Sequence, residues 1–208
     1  MSRLTNDLMR RGYLKTDIVI DAFSVVGREE FVPDDLVESA EKDIPLPIGY
    51  GQTISQPMTV AIMLELLDVK SGQNILDVGS GSGWTTTMLA YIVGEKGKVT
   101  SIERIQELCD FGKNNFFKFD FSKNRNTEFH CADGSKGYAK NAPYDRILVS
   151  AMSKNVPQDL KNQLAIGGKI VIPVHNSIWY LEKRGENDFY KEEFSGFSFV
   201  PLIEKNNF

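Results

Sequence analysis

The apolar positions of this chain change their period part-way along it. Ile18, Val19, Ala22, Phe23 and Val26 form one stripe of a 3.6-residue repeat, which predicts a helix with Thr16 at its start and Gly27 placed to end it. Residues 28–33 form its exit, because Pro33 stops helix from continuing. A second stripe, Val60, Met63, Leu64 and Leu67, follows Ser55-Gln56-Pro57. Proline suits the first turn of a helix, and the Ser55 hydroxyl is the expected N-cap. Between the two stripes, residues 45–55 hold Pro45, Pro47, Gly49 and Gly51 and follow neither period. This predicts an irregular loop, which in a compact domain is a candidate binding element.

From residue 72 onward, short apolar runs alternate with helical stripes. That order, βαβα, is the pattern of a doubly wound, mostly parallel sheet. Strands are predicted over 74–78, 98–102, 127–132, 145–150 and 169–174, with helices over 85–93, 105–119 and 157–163. The last part, 177–183 and 192–200 around Gly185-Glu186-Asn187-Asp188, reads as a hairpin that extends the sheet antiparallel. Phe111, Phe116, Phe117, Phe119 and Phe121 are expected to pack helix and loop, since no arginine-rich stripe accompanies them as base stacking would need. No repeat or linker divides the 208 residues, so one α/β domain is expected. Residues 1–56 form its N-terminal helical extension and active-site loop, and 57–208 its Rossmann-like core.

Composition narrows the partners. A formal charge of −4 argues against a protein that lives on phosphate backbones, so no nucleic-acid partner is expected. The longest apolar stretches, such as 59–67, are too short to span a bilayer, and residues 1–7 lack a signal-peptide core. A cytoplasmic monomer without a membrane partner is the expectation. Cys109 and Cys131 lack metal-ligand spacing and are read as reduced thiols, with Cys131 half-buried in a strand, and no metal is expected. His130 and His175 have no triad-like partners and read as structural or surface residues.

The candidate chemistry sits where strands end. Residues 74–78 run without a spacer into Gly79-Ser80-Gly81-Ser82-Gly83. Glycines at alternate positions let a ligand approach the backbone. A dinucleotide fingerprint requires a final glycine where this chain has Trp84. Asp77, just before the turn, repels phosphate and attracts a sulfonium or ammonium group, which favours S-adenosylmethionine over NAD or ATP. Alone, this is a glycine-rich strand-to-helix turn. Glu103, however, closes the second strand at the separation from which a carboxylate reaches the ribose hydroxyls of an adenosine seated on such a turn. Asp133-Gly134 closes the third, placing Asp133 to accept from an adenine amino group.

At this point the chain resembles the protein-L-isoaspartate O-methyltransferase family. The resemblance rests on Pro47-Ile48-Gly49-Tyr50-Gly51-Gln52-Thr53-Ile54-Ser55-Gln56-Pro57, on Leu76-Asp77-Val78-Gly79-Ser80-Gly81-Ser82-Gly83, and on Ser101-Ile102-Glu103-Arg104. It continues through Ala142-Pro143-Tyr144-Asp145, Gly167-Gly168-Lys169, Ile172-Pro173-Val174 and Phe199-Val200-Pro201-Leu202. The resemblance implies transfer of a methyl group from S-adenosylmethionine to the free α-carboxyl of L-isoaspartyl residues in damaged proteins, the start of repair through a succinimide. It implies Ser55 as the catalytic residue that hydrogen-bonds the substrate carboxylate. Thr53, Ile54, Ser55 and Gln56 are implied to close over the cofactor, with Asp77, Gly79, Gly81, Glu103, Arg104, Asp133 and Gly134 as its further contacts. Backbone groups of Val200, Pro201 and Leu202 are implied to hold an extended peptide. An α-carboxyl titrates near about 3.3 to 3.7, so the nucleophile is already ionised and no general base is needed.

The chain departs from the family at Ser150-Ala151-Met152-Ser153-Lys154, where a run of small residues is usual, at His175, where glycine is usual, and at Met58-Thr59. Larger side chains after residue 150 are expected to narrow the acceptor site, and Met58-Thr59 to alter one side of the cofactor pocket. They leave open a methyltransferase of the same fold with another carboxylate or small-molecule acceptor, or a module that binds an adenosyl ligand without turnover.

Overall fold

A computed structural model describes residues 1–203. Helix α1 (Arg3–Arg10) is capped by Ser2, which accepts from the Thr5 amide at 3.1 Å. Helix α2 (Asp17–Val25) begins at Thr16 as its stripe predicts. Thr16 does not cap it, because its hydroxyl donates instead to Glu65 at 2.6 Å. Two short 3-10 helices, Arg28–Phe31 and Asp34–Ser39, form the exit.

Residues 45–55 are not an irregular loop. They fold as an antiparallel hairpin of β1 (Leu46–Gly49) and β2 (Gln52–Ile54). The strand signal is only two buried residues long, Leu46 and Ile48, too short to stand out among the prolines and glycines. Gly49, Tyr50 and Gly51 all take positive φ, at 89°, 54° and 70°, which reverses the chain tightly.

Helix α3 (Pro57–Leu67) buries Val60, Met63, Leu64 and Leu67 as expected. Its N-cap is Gln56 and not Ser55. The first-turn amide of Met58 is instead satisfied from elsewhere in the chain, by Asp43 Oδ1 at 2.8 Å. Ser55 is therefore released from the helix.

The core then alternates β3 (Asn74–Val78), α4 (Trp84–Val93), β4 (Lys98–Glu103), α5 (Gln106–Phe116), β5 (Asn126–Cys131), β6 (Tyr144–Val149), α6 (Gln158–Gln163), β7 (Leu164–Val174), β8 (Ser177–Lys183) and β9 (Phe189–Ser195). One seven-stranded sheet runs in the order β5-β4-β3-β6-β7-β8-β9, parallel through β7 and antiparallel for the last two strands. α5 ends earlier than its stripe suggests, because Phe119 turns back to stack on Phe31 with ring centres 5.7 Å apart and meets Phe121 at 5.6 Å. β9 stops at Ser195, ahead of Gly196 with φ of 99°. Residues 196–203 thus leave the sheet instead of completing the hairpin. Cys131 is exposed at the end of β5 rather than half-buried.

Successive strand residues serve opposite faces, as a pleated strand requires. Ile75, Leu148 and Val171 pack with α2, α3, α4 and α5, whereas Leu76, Ile147 and Ile170 pack with Leu160 of α6. Trp84 joins the N-terminal extension to this core: it is buried edge-on to Phe23 and donates from Nε1 to the Val26 carbonyl at 3.1 Å. The sheet's order reverses between β3 and β6, and a crevice at that switch is where ligands of such sheets bind. Among the described residues, no helix is long and apolar enough to cross a membrane.

Candidate active site

A cleft opens at the carboxyl ends of β3, β4 and β6. Among the described residues its walls include Thr53 and Ile54 at the end of the hairpin with Ser55 beyond it, the glycine turn at 79–82, Glu103 with Arg104 and Ile105, Gly134, and Ser150-Ala151, closed over by 200–203. The glycine turn is tight for two separate reasons. A Cβ on Gly81, at φ of 52°, would sit 3.1 Å from Ile48 Cδ1 and fill the cleft's edge. One on Gly83 would collide with the Gly112 carbonyl of α5 at 2.7 Å, so this glycine serves helix packing and not the ligand.

Glu103 is buried and accepts three backbone N–H groups: Gly81 at 2.9 Å, Arg104 at 2.7 Å and Ile105 at 3.0 Å. It ties the glycine turn to the start of α5. A carboxylate has about four acceptor sites, so roughly one is left for a ribose hydroxyl. The two-pronged diol contact expected from its position would need more acceptor capacity than this carboxylate has left.

Several expected contacts lie elsewhere. Asp77 is fully buried behind the turn and is not among the described residues lining the cleft. Its Oδ2 accepts from Thr85 at 2.8 Å and Thr86 at 2.6 Å, while Oδ1 has no hydrogen-bond partner among the described residues. Burial raises its carboxyl to about 6, partly offset by the two hydroxyls. Asp77 faces α4 because Leu76 and Val78 on either side face the other layer. Its position behind the turn, and not in the cleft wall, does not support the direct pull on a sulfonium expected of it. Asp133 accepts from the Ser135 amide at 3.0 Å and its hydroxyl at 2.7 Å, and it is Gly134 that reaches the wall. Gln56 lines a neighbouring groove, and its side-chain amide donates to the Asp43 carbonyl at 3.0 Å.

That groove is formed by Pro45, Thr53, Ser55, Gln56, Met58, Thr59, Ser150, residues 196–199 and Val200. It shares Thr53, Ser55, Ser150 and Val200 with the cleft, so the two cavities meet at these residues. Met58-Thr59 accordingly borders the groove, not the cofactor side. Met152 and Lys154, expected to narrow the acceptor site, line neither cavity. The backbone of Met152 instead bonds the C-terminal segment, donating to the Val200 carbonyl and accepting from the Leu202 amide, both at 2.7 Å. Two of the backbone groups expected to hold a peptide are thus already paired. His175 sits exposed in the β7–β8 turn.

Arg28 carries no sequence signal, yet it positions the Ser55 loop. Its guanidinium is 3% exposed and donates to the carbonyls of Ala40 (2.9 Å), Lys42 (3.2 Å), Ile44 (2.9 Å) and Ser55 (3.1 Å). Burial lowers it to about 10, with Asp43 nearby acting against the shift. Because its hydrogen bonds to the described residues all go to backbone carbonyls, no paired acidic residue in the sequence marks it.

A family model described as Protein-L-isoaspartate(D-aspartate) O-methyltransferase (PCMT) matches residues 1–207. The chain belongs to this family. Among its isoaspartate methyltransferase relatives, the Methanopyrus kandleri protein is 45% identical over 210 residues, covering 99% of this chain and 92% of that one. The Methanococcus vannielii protein is 44% identical, covering 99% and 98%. A crystal structure of a Plasmodium falciparum protein assigned to the same methyltransferase, in complex with S-adenosyl-L-homocysteine, superposes with a TM-score of 0.86 at 27% identity, covering 98% of this chain and 97% of that one.

Proposed function

We infer that this protein methylates the free α-carboxyl of L-isoaspartyl residues in damaged proteins and peptides, using S-adenosylmethionine and so starting their repair. The residues present fit the cofactor. The glycine turn leaves a cradle that a Cβ on Gly81 would fill, and Glu103 offers its remaining acceptor site beside it. When bound, S-adenosylmethionine supplies a methyl on a sulfonium cation, and transfer to a carboxylate forms an O–CH3 bond, breaks an S–CH3 bond and cancels one charge of each sign.

The groove supports this reading best, because none of its described residues is charged. A Lys or Arg anchor would stabilise the full charge of an ionised acceptor more than the half-cancelled charge of the transition state, and would slow transfer. Neutral hydroxyls orient the carboxylate at a smaller cost in nucleophilicity. Ser55 provides one at the junction of groove and cleft, and its hydroxyl makes no hydrogen bond to the described residues. The acceptor is already an anion at neutral pH, so the protein's task is to align it and exclude water. Residues 200–203 and the β1–β2 hairpin flank the site for that purpose. The isoaspartyl partners are met by a cytoplasmic monomer in this reading, an oligomeric state that gel filtration with light scattering checks.

The test is labelled-methyl transfer to an isoaspartyl peptide by the unchanged protein and by Ser55→Ala. The reading expects Ser55→Ala to lose most turnover while its affinity for S-adenosylhomocysteine and its melting temperature hold. A lowered melting temperature with normal turnover would contradict it.

A further inference from the structure

We propose that Ser150 is a second acceptor-binding residue, whose hydroxyl donates to the same carboxylate that Ser55 holds. The proposal rests on the methyl-transfer reading above and adds a second donor to the Ser55 hydroxyl. Ser150 follows β6 directly, at the sheet's switch. Leu148, two residues earlier, packs into the α3-side core with Val60 and Leu64. Period-two alternation puts Ser150 on that same face, the one toward the Ser55 loop.

Two observations make it more than a strand terminus. Ser150 borders both the cofactor cleft and the acceptor groove, a position shared only with Thr53, Ser55 and Val200 among the described lining residues. The residue is half-buried and its hydroxyl makes no hydrogen bond to the described residues, whereas its amide is fixed to the Val78 carbonyl at 2.9 Å. The backbone just beyond is held too, since Met152 is bonded on both sides to the 200–202 segment. The donor thus stands on a rigid sheet end.

The chemistry needs a second donor. A carboxylate held by one hydroxyl still turns about that bond, and in-line transfer requires its plane to be set. Hydroxyls from Ser55 and Ser150, on separate elements, fix the plane and leave a lone pair free for the methyl. Both are neutral, as the charge cancellation demands.

The experiment compares Ser150→Ala, Ser150→Thr, Ser55→Ala and the double alanine variant on an isoaspartyl peptide, with S-adenosylhomocysteine affinity and melting temperature measured for each. Ser150→Ala should lower kcat/KM about tenfold, the loss of one hydrogen bond to a charged group, at unchanged cofactor affinity. Ser150→Thr, which keeps a hydroxyl, should recover most of it. The double variant should lose less than the product of the single losses, because the two donors share one anion. Activity unchanged in Ser150→Ala, no recovery in Ser150→Thr, or a loss that follows cofactor affinity or melting temperature would overturn the assignment. Absence of transfer by the unchanged protein would instead overturn the functional reading, and this assignment with it.

Discussion

Removing the Glu103 carboxylate should damage the fold and the cofactor site together, and by separable amounts. Glu103→Ala leaves the amides of Gly81, Arg104 and Ile105 without their acceptor. Each orphaned buried donor costs about 1–3 kcal/mol. Here water from the adjoining cleft can enter the vacated space, so the total falls near the low end, roughly 2–4 kcal/mol. For a chain of this size that lowers the melting temperature by roughly 4–16 °C. The fourth acceptor site, which the geometry leaves for a ribose hydroxyl, adds about 1.5–3 kcal/mol of binding, or roughly tenfold to a hundredfold in affinity. Glu103→Gln keeps one acceptor oxygen for the turn and should fall between the two. The assay pairs thermal unfolding without ligand with titration calorimetry against S-adenosylhomocysteine. An unshifted melting temperature would refute the role of this carboxylate in holding the turn. A destabilised variant with unchanged ligand affinity would refute the ribose contact.

Asp77 should impose a pH slope on stability. Its folded-state value, about 6, lies above the ordinary carboxyl value of about 3.9, so the folded protein keeps a proton that the unfolded chain releases. Its contribution is complete below about pH 4 and is lost as pH rises through about 6, a change of roughly 3 kcal/mol. Asp77→Asn should flatten chemical denaturation between pH 4 and 7, and parallel slopes would contradict this. Arg28→Lys leaves some of four carbonyls without a donor. It should cost roughly 2–4 kcal/mol in urea unfolding and lower turnover through Ser55, and full turnover at reduced stability would show that the Ser55 loop does not depend on it. His175 holds a φ of 52° that glycine adopts without strain. His175→Gly should raise stability by about 1 kcal/mol, read as a higher denaturation midpoint at constant m-value.

The alternation of apolar runs located every core strand to within a few residues, except that β7 starts earlier and β9 starts and ends earlier than their patterns suggest. Strands buried on both faces read as short continuous apolar runs, and here their shortness, their β-branched residues and the helical stripes between them set them apart from buried helix. The hairpin at 46–54 was hidden because its pattern is two buried residues long and its turn relies on a positive-φ tyrosine. In the site, Glu103 was legible because its place at a strand end fixes where it points. Ser55 looked like a helix cap only because Asp43, which performs part of that task, is remote in sequence. Arg28 was invisible, since backbone carbonyls leave no trace in side-chain patterns. Ser150 could have been read by the strand-end rule that found Glu103. Asp77 shows the limit of that rule: it precedes the turn in sequence, but the pleat aims it at α4 and away from the cleft.

In the proposed function, the uncharged groove beside the cofactor cleft takes an isoaspartyl carboxylate. The most direct test is labelled-methyl incorporation into two peptides of one sequence that differ only in an isoaspartyl or aspartyl residue. Incorporation is expected into the isoaspartyl peptide alone, as a base-labile ester. Equal incorporation into both peptides, or none into either by protein that binds S-adenosylhomocysteine, would contradict it.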